Sequence, residues 1–139
     1  EKDAIKRYVE GGGTIFVETL GGRGDFSLRI EEQLRETFGG GPATPLQNTD
    51  PLVSGQGLEG GSRVNRALFR QFSILNMAAK RDARMSAFIV NNRPAVVISH
   101  DDLSLGAMGL RRWGINGYQP ETARQLLSNL LLSAAKTRG

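Results

Sequence analysis

The stretch VVISHDDLSLG, residues 96–106, holds the only histidine of the chain, His100, with Ser99 before it and Asp101 and Asp102 after it. A histidine beside a carboxylate is the make-up of a general base or a metal ligand, and a serine beside a histidine that of an activated nucleophile. Glu18, at the end of a separate apolar run, is a further carboxylate that a hydrolase could recruit. The spacing speaks against convergence. Side chains of successive strand residues point to opposite faces, so His100 and Asp101 do not meet on one metal, and Ser99 reaches His100 only where the chain turns sharply. A lone histidine without a partner set bonds more simply to backbone, with Asp101 or Asp102 capping the turn that follows. Ser99, His100, Asp101, Asp102 and Glu18 are therefore the candidates for a hydrolase, secondary to a structural role. No metal and no cofactor is expected.

A second chemical stretch is TIFVETLGGRGDFSLRIEEQLRETF, residues 14–38. A strand, a glycine turn and a helix start is the layout that cradles phosphates. The dinucleotide fingerprint needs Gly-x-Gly-x-x-Gly, whose third glycine lets helix and strand approach. Here Gly22-Arg-Gly24-Asp-Phe-Ser27 has serine at that place, and the Gly-Lys-Ser/Thr of a phosphate loop is missing. Asp25 sits where the helix begins and reads as its N-cap, a carboxylate that would repel phosphate from the donors it satisfies. Arg23 can still hold an anion. The embedded Arg-Gly-Asp spells an adhesion tripeptide, but capping accounts for its aspartate. A capped structural turn is expected.

The third stretch is LSLGAMGLRRWGINGY, residues 103–118, which follows the His100 strand. Ligands of α/β sheets bind at the carboxyl ends of strands, and long unstructured connections are often binding loops. Arg111, Arg112, Trp113 and Tyr118 are of the types enriched in binding hot spots. The binding candidates are thus Arg23, Asp25, His100, Arg112, Trp113 and Tyr118, the alternative being that Trp113 and Tyr118 fold back as a minor core cover, as large aromatics commonly do.

These groups have to be positioned by one fold. A chain of 139 residues, 39% apolar, is enough for a single domain with one core. Ile5, Tyr8 and Val9 fit a helix that stops at Gly11-Gly12-Gly13, and Ile15-Phe16-Val17 a strand buried on both faces. Phe26, Ile30, Leu34 and Phe38 recur every four residues in a second helix. Residues 39–62 read as a long Gly/Pro-rich loop, and 63–78 fit helix or strand equally. SAFIV and RPAVVIS form a hairpin across Asn91-Asn92, residues that tolerate positive φ. The last helix starts at Pro120 and presents Ala123, Leu126, Leu127, Leu130 and Leu131 on one apolar face.

The charge of +4 is uneven, with seven Lys/Arg against Asp82 alone over residues 63–93. No basic-plus-aromatic nucleic-acid motif accompanies this strip, so it reads as a solvated face, and nucleic acid is not favoured as a partner. No apolar run approaches a membrane span of about 18 residues, and no signal peptide opens the chain. The start at Glu1, in what reads as mid-helix, suggests a fragment tethered to further domains of a larger protein. Absent cysteine excludes disulfides, Cys-ligated zinc and a Cys nucleophile.

Taken together, IKRYVEGGGTIFVETLGGRGDFS, NTDPLV and NNRPAVVISHDDLSLGAMG with GINGYQPETARQLLSNLLLSA resemble an uncharacterised bacterial domain-of-unknown-function family, numbered four-one-five-nine. The resemblance implies similarity to the class I glutamine-amidotransferase superfamily. The fold it implies is α/β, a three-layer flavodoxin-like sandwich with a mainly parallel sheet and an antiparallel hairpin. In active amidotransferases a His-Pro-Glu stands where this chain has His100-Asp101-Asp102, and a Cys attacks the glutamine amide. Without that Cys, glutamine amidotransfer is excluded. The resemblance further implies association with the bacterial cell envelope. What remains is a non-catalytic interaction or ligand-binding module for a protein partner or a small polar ligand, with a hydrolase built on Ser99 and His100 as the alternative.

Overall fold

The computed structural model describes residues 1–77 and 82–136. Helix α1 (Lys2–Glu10) leads to strand β1 (Ile15–Glu18) and a short 3-10 turn (Leu20–Gly22). Helix α2 (Phe26–Thr37), strand β2 (Thr44–Pro45) and the short helix α3 (Pro51–Ser54) follow. The second half holds α4 (Gln71–Asn76), β3 (Met85–Val90), β4 (Arg93–Ser99), α5 (Ser104–Ala107) and α6 (Pro120–Lys136).

The four strands form one mixed α/β sheet in the order β1-β4-β3-β2. β1 runs parallel to β4, with Glu18 level with Ser99, while β3 is antiparallel to both β4 and β2. Only one of three pairings is parallel, so the expected mainly parallel sheet is corrected to a mixed one. The cause is local: Asn91 and Asn92 adopt φ of 52° and 58°, which turns β3 straight back into β4. A chain that pairs through a two-residue turn has no room for the crossover that a parallel pair requires.

Both faces of the sheet are covered, as the consecutive apolar residues of β1 require. Phe16, Ala87, Met85 and Val97 face a cluster completed by Leu52, Tyr118, Ala123 and Leu126. Val96, Ile98 and Phe88 face the opposite way, against Val9 of α1 and Leu34 of α2. Alternation along β4 sends Val97 to one side and Val96 and Ile98 to the other.

Several sequence readings change. Residues 39–62 are not a bare loop: Asp50-Pro51 starts α3 with proline in its first turn, and Gly55 at φ 71° ends it. Within 63–77 only Gln71–Asn76 is helical, and Phe69 forms an isolated bridge with Tyr118. Residue 78 of that segment, and Lys80 and Arg81 of the basic strip, lie outside the described residues. The rest of the strip is not one solvated face. Arg93 donates to the carbonyls of Val9 and Gly13 at 2.7 and 2.6 Å, which ties the C-terminal end of α1 to β4. Arg70 donates to the carbonyls of Tyr118 and Leu110. Leu131 is turned outward, so the buried face of α6 runs through Thr122, Ala123, Leu126, Asn129 and Leu130.

Candidate functional site

The parallel pairing brings the carboxyl ends of β1 and β4 side by side. From β1 the chain continues through Thr19, the 3-10 turn and Gly24 into α2. From β4 it continues through His100, Asp101 and Asp102 into α5. Two chain crossings therefore flank one crevice, at the sheet edge where α/β proteins place ligands.

Most of the carboxylates and hydroxyls at this edge hold the backbone. Glu18 Oε2 accepts the N–H groups of Leu103 and Ser104 at 2.9 and 3.1 Å, where α5 begins. Asp102 is fully buried; its Oδ2 accepts the Gly21 N–H at 2.8 Å and its Oδ1 the Gly106 N–H at 3.1 Å. Its backbone N–H donates to the Asn116 carbonyl, and the Asn116 N–H donates to the Gly21 carbonyl, each at 2.9 Å. The three segments are thereby closed into a ring. Ser99 is fully buried and its Oγ donates to the Asp101 carbonyl at 2.7 Å. The side chains of these three candidates are thus engaged with the backbone, as buried polar groups such as Ser99 and Asp102 require.

His100 finds a partner that sequence reasoning missed. Ser27, in the first turn of α2, lies 2.9 Å from His100 Nδ1 through its Oγ. Ser27 is buried, and its own N–H donates to Thr19 Oγ1 at 3.1 Å. The two residues are 73 positions apart, so no spacing could have paired them. Among the described residues Ser27 is the side-chain hydrogen-bond partner of His100.

Asp101 is buried and lies 3.5 Å from the Arg84 guanidinium. Tyr118, expected on a binding surface, is a core residue at 0% exposure. Its ring packs 4.8 Å from Phe69 and its hydroxyl accepts the Arg84 N–H at 2.9 Å. Burial, aided by the nearby Asp101 charge, pushes its phenol well above the ordinary range.

The glycine turn also departs from expectation. Asp25 stands at the helix start but makes no capping bond; its carboxylate accepts from Arg29 Nε at 2.7 Å instead. With ψ of 13° it lies outside the extended geometry that aims an N-cap side chain at the helix donors. The expected repulsion of anions from those donors therefore loses its basis. Gly22 has φ of 63°, and a Cβ there would stand 1.7 Å from the Asn116 carbonyl oxygen. Only glycine permits that approach.

These elements enclose a pocket of about 450 Å³. Arg23, Ser27, Arg84, His100, Asp101 and Asn116 supply its polar wall, with Gly22 and Gly24 beside them. Arg84 and Asp101 face each other as a pair. Arg23 has no acidic partner among the described residues, and its guanidinium sits 5.8 Å over the Phe72 ring. Phe72 meets Trp113 edge-on at 5.3 Å. Trp113 is 65% exposed, and Arg112 is exposed as well. Neither Trp113 nor Phe72 lines the pocket; Trp113 is connected to it only through Phe72 and Arg23. The segment expected to be a structureless loop contains α5.

Among the described residues no group of three or more His, Asp or Glu could hold a metal ion. No described helix is long and apolar enough to cross a membrane. A family model described as a domain of unknown function, DUF4159, matches residues 1–134. No curated protein and no solved structure matches the chain.

Proposed function

We propose, on the premise that the chain belongs to the DUF4159 family, that it is a non-catalytic ligand-binding module whose site is the His100 pocket. The observation that carries this reading is the division of labour at the strand ends. Glu18, Ser99 and Asp102 are spent on backbone bonds, while Arg23, His100 and Asn116 remain along an open cavity. A cavity with a few convergent polar groups at a strand-end crevice is the usual form of a small-ligand site. Strands buried on both faces support a three-layer, flavodoxin-like arrangement similar to the class I amidotransferases. The chain lacks their chemistry, because without cysteine no thioester forms. Tethering to further domains and association with the bacterial envelope belong to the same proposal.

The test is chemical-shift mapping of the purified domain against a panel of small polar compounds. Binding should move the His100 imidazole and the Gly22–Gly24 amides first. A panel that leaves these signals unmoved while shifting another surface refutes the reading.

One observation favours a second reading. The 2.9 Å contact between Ser27 Oγ and His100 Nδ1 is the geometry of a nucleophile and its base. Hydrolysis of an activated ester, abolished alike by Ser27→Ala and His100→Ala, would establish it. Ammonia release from glutamine is expected from neither reading.

A further inference from the structure

We infer that the His100 pocket takes a small organic anion that also carries hydroxyl or amine donors, with Arg23 holding the anionic group. The inference rests on the binding reading above and names the ligand's chemistry. Three features of the wall decide it.

The first is charge. Arg84 and Asp101 both line the pocket and lie 3.5 Å apart, so their charges largely cancel. Arg23 then stands as the uncompensated cation of the wall, without an acidic partner among the described residues. A guanidinium presents its donors in a planar fork that suits carboxylate and phosphate oxygens. Its Cζ lies over the Phe72 ring, 5.8 Å from the centroid, a cation–π contact that leaves the guanidinium donors available to a ligand.

The second is the absence of a capping anion. The nearest carboxylate in sequence, Asp25, is drawn off by Arg29 at 2.7 Å. The wall formed by Gly22, Arg23 and Gly24 therefore faces the cavity without a local negative charge of its own. Gly24, at φ 96°, has nothing within 4 Å of the place its Cβ would take, so the backbone there lies open to a ligand.

The third is an acceptor. Asn116 Oδ1 is a buried atom without a hydrogen-bond partner among the described residues, and Asn116 lines the same pocket. Its backbone is fully used by the ring that joins Gly21 and Asp102, so its side chain is held in position. An unpaired acceptor is satisfied by a donor. A bare inorganic anion offers none at neutral pH beyond a phosphate hydroxyl, whereas a hydroxy acid or a polyol phosphate carries both functions at short range. A volume of about 450 Å³ accommodates such a molecule.

The probes are glycerol 3-phosphate and glycerate, which carry anion and hydroxyls together, with glycerol and inorganic phosphate as the separated halves. Calorimetric titration and His100 imidazole shifts read binding. The combined probes should bind at least tenfold more tightly than either half. Arg23→Ala should weaken the combined probes at least tenfold and leave glycerol unchanged, and Asn116→Ala should reduce their advantage over inorganic phosphate. Arg23 is exposed, so its loss leaves the fold intact; the unfolding transition of each variant checks this. Glycerol binding without anion binding, or anion binding indifferent to Arg23→Ala, overturns the inference while leaving a ligand pocket in place. Failure of all four probes to move His100, with a neutral polar panel also silent, overturns both.

Discussion

Replacing Asp102 with alanine measures whether this carboxylate belongs to the scaffold or to chemistry. It is fully buried and accepts two backbone N–H groups, from Gly21 at 2.8 Å and Gly106 at 3.1 Å. Hydrogen bonds to a charged group contribute about 1.5–3 kcal/mol each, so losing both costs about 3–6 kcal/mol. The Gly106 donor is buried, so its bond to Asp102 is not readily replaced. Against the roughly 5–15 kcal/mol that holds an ordinary domain together, Asp102→Ala stands near the edge of folding. Asp102→Asn separates shape from charge. It retains one acceptor oxygen and turns an amide N–H toward the other donor, so about half the loss is expected. Urea denaturation followed by far-ultraviolet circular dichroism is the assay, with an unchanged slope confirming a simple stability effect. Trp113 emission is a poor probe, because that side chain is 65% exposed in the native state. If the alanine variant unfolds within about 1 kcal/mol of the parent, the scaffold assignment is refuted.

Gly22→Ala should destabilise by about 2–5 kcal/mol, combining a left-handed φ of 63° with a Cβ placed 1.7 Å from the Asn116 carbonyl. Gly24→Ala should lose only about 1–2 kcal/mol, since strain acts there without a clash; equal losses in the two variants would discount the close approach. Tyr118→Phe should lose about 1–3 kcal/mol near neutral pH, where the Arg84 N–H is left without its acceptor. The folded phenol titrates above its ordinary 10.0, so the unfolded chain gives up that proton first. Wild-type stability attributable to Tyr118 is then complete below about pH 10 and declines above it, and the gap to Tyr118→Phe should narrow there in pH-dependent urea melts. A gap that widens above pH 10 would reverse the sign of the argument.

The elements that could be read from the sequence are those decided within a few residues. Asn91-Asn92 makes its hairpin because two neighbours tolerate positive φ, and Pro120 starts α6 because its ring suits a first turn. The apolar run of β1 packs against a cluster on each face, but as an edge strand its residues are only partly buried. What escaped was decided at a distance or by competition. Asp25 occupies the cap position, yet Arg29 one turn later captures its carboxylate. Trp113 and Tyr118 are five residues apart in one segment. Tyr118 is buried because Arg84 supplies a donor for its hydroxyl, whereas Trp113 meets Phe72 at the surface. The pocket itself is least readable of all, since Ser27 and His100 carry no mutual spacing signal. His100 stands just past the end of β4, as its apolar run indicates, but of the carboxylates beside it Asp102 serves the backbone and Asp101 faces Arg84.

The pairing of β1 with β4 has a consequence for how the molecule assembles. β3 and β4 meet through a two-residue turn, so that ribbon closes at small entropic expense. β1 can join it only after a loop of some 80 residues has closed, as the 81-residue separation of Gly21 and Asp102 indicates. The contact of Ser27 with His100, across 73 residues, depends on the same closure, whereas the Arg84–Asp101 pair is local to the ribbon and its flank. The cavity consequently requires the long-range β1–β4 pairing as well as the ribbon. A chain halted with only the ribbon and α6 in place would carry His100 and its carboxylates but have no cavity. Destabilising changes near the N-terminus, far from any ligand, would therefore empty the binding-competent population before they unfolded the ribbon.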